Sequence, residues 1–141
     1  LRFGCYMSHV LLWQNVLQTS APFAVVFEDD AVIGANFSRE LKVRLERLPA
    51  NWDILFLNGC YKKFGYIFED GLRQSRGGLC TYAYVISMKG ARYLLSHAVV
   101  HSDKPIDHVL DYETLTGHLL SFHADPPLAH VSSTKASTLA Y

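Results

Sequence analysis

The sequence predicts an α/β fold in which helices flank an open, mostly parallel sheet. Three strand-length apolar runs, at 23–27, 52–57 and 80–87, are rich in Val, Ile and aromatic residues. Segments with helical spacing of apolar residues stand between and after them. The first run passes straight into Glu28-Asp29-Asp30. Isolated carboxylates lose too much hydration free energy inside a core. The strand must therefore end there, at its carboxyl edge, where open α/β sheets place their ligands.

The chain has 141 residues, one domain's worth, and half of them are hydrophobic. Thirteen Lys and Arg balance thirteen Asp and Glu. With no basic surplus to hold a polyphosphate backbone, nucleic-acid binding is excluded as an expectation. No apolar run approaches the roughly 18 residues of a spanning helix, so no transmembrane segment is expected. Cys5, Cys60 and Cys80 form neither a CxxC pair nor a zinc spacing. Reduced, buried thiols in the cytoplasm are the default, with one disulfide as the alternative.

Residues 4–20 read as a helix, with Tyr6, Met7, Val10, Leu12, Trp13, Val16 and Leu17 at three- and four-residue spacings. Pro22 ends it, because proline disfavours helix at the residue before it. The strand at 23–27, followed by Ala31-Val32, is expected to be buried on both faces. Asn36 or Ser38 can cap a helix at 39–48, whose Lys42, Arg44, Glu46 and Arg47 read as a solvated, salt-bridged face. A buried strand at 52–57 ends at Asn58-Gly59. Residues 61–79 mix aromatic, basic and glycine residues and read as a hairpin or as a loop over a site.

The strand at 80–87 leads into a helix opened by Lys89-Gly90-Ala91. His97 and His101 would share a face of it, though without a third ligand the pair carries little. Asp103 as cap and Pro105 in the first turn predict a further helix carrying Asp107, Asp111 and Glu113. A last strand at 118–123 and an extended start to a flexible tail, 131–141, complete a single domain.

Along an extended chain Glu28 and Asp30 would point one way and Asp29 the other. Two carboxylates aimed at one spot repel unless a cation lies between them. The same triplet could instead cap a following helix.

Gly4-Cys5-Tyr6-Met7-Ser8-His9 followed by Trp13 is similar to the Gly-Cys-x-x-Ser-His…Trp helix of glycosyltransferase family 25, the lipooligosaccharide and procollagen galactosyl- or glucosyltransferase group. The segment 22–32 resembles that family's Pro-aromatic-apolar-Glu-Asp-Asp strand. Trp52-Asp53-Ile54-Leu55, the segment 81–91, Pro105-Ile106-Asp107 and Pro126-Pro127-Leu128 fit later blocks in order.

The resemblance implies a GT-A-like sheet and an inverting transferase that moves galactose or glucose from a UDP-sugar to a glycan or lipooligosaccharide acceptor. It implies Mn²⁺, or Mg²⁺, on the DXD-like acidic motif, with Asp30 as first ligand and Glu28 and His130 as further ones. Glu28, Asp29, Ser8, His9 and Lys135 would hold the donor. An inverting displacement needs a carboxylate to take the acceptor proton, with Asp107 as first choice and Asp111 and Glu113 as alternates. The cytoplasm, peripheral to the inner membrane, is the implied location.

Nothing before Gly4 resembles the family's usual amino-terminal, nucleotide-binding portion, so the sheet is expected to be incomplete. An incomplete sheet exposes an edge and apolar helix faces, which favours pairing with another chain, a second copy included. A degenerate, non-catalytic module for carbohydrate binding or assembly is therefore the second functional expectation. A metal-dependent phosphohydrolase is the third.

Overall fold

A computed structural model describes residues 2–60, 62–97 and 103–132. The elements run α1 (Arg2–Gln18), β1 (Phe23–Phe27), β2 (Ala31–Ile33), α2 (Phe37–Arg47), β3 (Ile54–Phe56), β4 (Lys62–Glu69), β5 (Leu72–Gly78), β6 (Ala83–Ser87), α3 (Met88–His97), α4 (Ile106–Leu115), β7 (Ser121–Ala124) and β8 (Ala129–Val131). The main sheet has the order β1-β6-β3-β7-β5-β4, and β2 and β8 form a separate two-stranded ribbon.

The expected mostly parallel sheet is not what the chain builds. Among the described residues only β3 and β7 pair in parallel; β1–β6, β3–β6, β4–β5, β5–β7 and β2–β8 are antiparallel. A central strand covered on both faces reads as a continuous apolar run whichever way its neighbours point. The runs therefore announced burial and left strand direction open.

Side-chain alternation along the central strands feeds two cores. Ile54, Phe56, Tyr84 and Ile86 pack with Tyr6, Trp13 and Val16 of α1, Ala91 and Leu94 of α3, and Val109 and Leu110 of α4. Leu55, Leu57, Ala83, Val85 and Phe122 pack on the other face with Leu41 of α2. β1 lies at the sheet's edge and is mostly half-buried, a correction to the strand expected to be covered on both faces.

The helices also bury other residues than the spacing suggested. On α1 the buried positions are Tyr6, His9, Trp13 and Val16, while Met7, Leu11 and Leu12 face outward. On α2, Arg44 is buried, paired with Glu40 and packed over Gly71, so this face is not wholly solvated. Its guanidinium lies where any side chain at residue 71 would stand, and Gly71, at φ +82°, also makes the turn between β4 and β5. Residues 62–78 thus form the hairpin of the two alternatives, docked through β5 on β7.

Cys60 and Cys80 are joined by a disulfide, and Cys5 is free and exposed. The default of unpaired buried thiols gives way to the single-disulfide alternative. No helix among the described residues is long and apolar enough to cross a membrane.

Candidate functional site

β6 lies beside β1, and the register sets Phe27 opposite Ala83. Glu28 N–H donates to Tyr82 O at 2.9 Å as the pairing continues past β1. This brings Thr81 beside Glu28, and Thr81 Oγ1 donates to Glu28 Oε1 at 2.6 Å. His9 Nε2, on α1, stands 3.5 Å from the same oxygen. On its far side, His9 Nδ1 is 2.7 Å from the Tyr84 hydroxyl, which also accepts Trp13 Nε1–H at 3.0 Å. Tyr84 O–H can donate to His9 Nδ1 while its oxygen accepts Trp13 Nε1–H, which leaves His9 Nε2 facing Glu28 at a distance long for a hydrogen bond.

The electrostatics follow from this packing. His9, and then Thr81, hold the Glu28 carboxyl below its ordinary value against the opposite pull of burial and of Asp29. Burial raises the Tyr84 phenol far above its usual range, so it acts as a neutral hydrogen-bonding group. Burial, then Glu28, then Asp107 push the Cys5 thiol up.

Four of the five residues expected at a donor site, Ser8, His9, Glu28 and Asp29, line one cleft of about 240 Å³ together with Cys5. The fifth, Lys135, lies outside the described residues, as does His101. Ser8 Oγ donates to Gly4 O at 2.9 Å, one turn back.

Asp30 is not among the residues lining that cleft. Alternation ends at Phe27, because the chain turns at Asp29-Asp30 and Ala31 N–H returns to Glu28 O at 3.2 Å. Asp30 O accepts Ser132 N–H at 2.9 Å, and its Oδ1 is buried with no hydrogen-bond partner among the described residues. His130 sits exposed on β8, opposite Val32. Among the described residues, the one group of three side chains whose ligand atoms all lie within 4.8 Å of one another is Cys5, His9 and Glu28. A thiol, an imidazole and one carboxylate are not the hard oxygen set that Mn²⁺ or Mg²⁺ takes, so the assembled cluster does not fit that ion.

The three carboxylates of α4 occupy different settings. Asp107 Oδ1 accepts His108 N–H at 2.9 Å in the first turn, and its charge reaches Cys5. Asp111 binds Lys63 Nζ through both oxygens at 3.1 Å and accepts Gly78 N–H at 2.8 Å, tying α4 to the β4–β5 hairpin. Glu113 is buried, accepts the Tyr93 hydroxyl at 2.6 Å and lies 2.8 Å from His118 Nδ1. Sequence reasoning missed Tyr84 and Thr81 as partners of His9 and Glu28. Only the β1–β6 pairing would have revealed them.

The chain thus sets an acidic strand end of an antiparallel-rich α/β sheet beside a Ser-His helix. Residues 2–110 match the family model described as "Glycosyltransferase family 25 (LPS biosynthesis protein)", and the chain belongs to that family. It is 32% identical over 117 residues to mouse "Inactive glycosyltransferase 25 family member 3", covering 76% of this chain and 19% of that protein. It is 28% identical over 145 residues to the human protein of the same name, covering 89% of this chain and 24% of that protein. It is 29% identical over 115 residues to Xenopus laevis "Procollagen galactosyltransferase 1-A", covering 76% and 19%. The chain thus spans about a fifth of the length of these curated relatives.

The likeness to the mouse and human proteins named inactive corrects the expectation of an active enzyme. The manganese cofactor and the UDP-sugar and glycan partners inferred from activity fall with it.

Proposed function

We propose that this chain is a degenerate, non-catalytic glycosyltransferase family 25 module that serves in assembly. The observation that carries this reading is the make-up of the cleft. It keeps Ser8, His9, Glu28 and Asp29, but the ligand-grade groups that converge in it are Cys5, His9 and Glu28. A sugar diphosphate needs a hard cation on oxygen ligands to stabilise its departing charge, and Asp30 does not line the cleft.

The assembly role is supported by apolar surface beside the cleft. Met7, Leu11 and Leu12 of α1 and Phe27 at the end of β1 are exposed, and β1 is an edge strand with a row of pairing groups on its outer side. In relatives about five times as long, further polypeptide can cover such a face. The Cys60–Cys80 bond favours an oxidising compartment over the cytoplasm first expected.

Incubation with UDP-galactose or UDP-glucose, Mn²⁺ and collagen or lipooligosaccharide acceptors tests the first half. Transfer above blank that Glu28→Gln abolishes would overturn the non-catalytic reading. Sedimentation of the wild type and of Leu11→Glu/Leu12→Glu tests the second. Association that the two charges remove is expected, and a wild type monomeric at every concentration would count against assembly.

A further inference from the structure

We propose that Cys5, His9 and Glu28 form a binding site for a borderline-soft divalent cation, Zn²⁺, which fastens α1 to the end of β1. The site is non-catalytic and independent of the assembly reading.

Cys5 and His9 are four residues apart on α1, so both project from one face of the helix. Glu28 meets them from the first residue past β1. The His9 Nε2 to Glu28 Oε1 separation is 3.5 Å, long for a hydrogen bond. Two ligands on a tetrahedral Zn²⁺ at its usual bond lengths stand roughly 3.4 Å apart. The pair is therefore already set at the span of two zinc ligands. The three ligand atoms lie within 4.8 Å of one another, so no pair stands more than about 1 Å beyond the span that a tetrahedral Zn²⁺ sets.

The surroundings are those of a built site. His9 is 3% exposed and its second nitrogen is fixed by Tyr84, the outer-sphere bond that orients most zinc-bound imidazoles. Metal on Nε2 requires the proton on Nδ1, so the bond to Tyr84 reverses: Nδ1–H donates to the phenol oxygen beside Trp13 Nε1–H, and the phenol proton turns away. Glu28 is likewise oriented by Thr81. Sulfur, nitrogen and oxygen donors together favour Zn²⁺ over Mn²⁺ or Mg²⁺. The cleft leaves room for water in the fourth position.

Calorimetric titration of the disulfide-intact chain with Zn²⁺ and with Mn²⁺ provides the test, with Co²⁺ absorption as a readout of thiolate ligation. One Zn²⁺ per chain, bound far more tightly than Mn²⁺, is expected. A thiolate-to-cobalt band should appear in the wild type and vanish in Cys5→Ala. That variant should weaken Zn²⁺ by more than the roughly 10–100-fold that loss of an outer-sphere partner costs. Cys5 is exposed, so its replacement leaves the fold intact; Glu28→Gln gives a second variant, expected to weaken binding in the same way. Absence of Zn²⁺ binding, equal affinity for Mn²⁺, or binding unchanged in Cys5→Ala would overturn the proposal, the last assigning the ion to surface histidines.

Discussion

The hydroxyl of Tyr84 on β6 and Nδ1 of His9 on α1 meet at 2.7 Å, with their rings stacked at a centroid distance of 5.6 Å. Trp13 Nε1–H joins the same oxygen, so one phenol satisfies two buried ring nitrogens. Removing it leaves both without a partner, and a stranded buried donor or acceptor costs more than its bond contributes. Tyr84→Phe is therefore expected to lower unfolding stability by about 1–3 kcal/mol. Urea denaturation followed by tryptophan fluorescence measures it, and Trp13 emission should shift as its indole loses the acceptor. Unchanged stability would mean that the hydroxyl contributes nothing net.

Gly90 in the first turn of α3 lies against the backbone of Asp53, where a Cβ would stand 2.6 Å from the carbonyl oxygen. That contact is with backbone that already accepts Ser87 N–H at 2.9 Å, so it cannot swing aside. Gly90→Ala should cost about 1–3 kcal/mol despite the better helix propensity of alanine. Circular dichroism with chemical denaturation reads the balance; a stabilised variant would show that α3 shifts freely.

Several of these relations were legible in the sequence and others were not, for physical reasons. The end of β1 at Phe27 followed from the cost of burying Glu28-Asp29-Asp30. The association of Ser8, His9, Glu28 and Asp29 came from the resemblance, and one cleft now contains all four. Strand direction was hidden because β3 and β6 are covered on both faces. The burial of His9 in place of Leu12 was hidden too, since only the position of Tyr84 gives that imidazole a partner. The alternation expected through Asp29-Asp30 does not hold, because those residues form a turn.

The Cys60–Cys80 disulfide joins positions 20 residues apart, across the hairpin that docks on β7. A cross-link of that span removes conformational freedom from the unfolded chain worth about 3 kcal/mol in the loop-entropy account. Cys60→Ser/Cys80→Ser, compared with the oxidised wild type by guanidinium unfolding, should lose about that much. The wild type in strong reductant should fall to the level of the variant. Equal stability of oxidised and reduced wild type would show that the hairpin is fixed by packing alone.

His123 on β7 supplies a pH dependence whose sign is set by burial. Its side chain is enclosed between Phe56 and Phe64, with Nε2 2.8 Å from Ser75 Oγ. Burial, opposed by the Gly77 carbonyl, lowers its pKa from the ordinary 6.5 to about 4. Between those values the unfolded chain takes up a proton that the folded chain refuses, so stability falls as the solution is acidified from about pH 6.5 to about 4. The full effect is about 3 kcal/mol, since each tenfold loss of proton affinity on folding is worth about 1.4 kcal/mol. Glu28 acts in a lower window: its carboxyl is held below its ordinary 4.5, so its contribution is complete above that value and is lost beneath it. Urea unfolding at intervals from pH 7 to pH 3 separates the two. His123→Gln, which keeps a hydrogen-bonding group toward Ser75, should flatten the upper window and leave the acid limb in place. A slope above pH 4.5 that survives this substitution would assign the titration to another histidine.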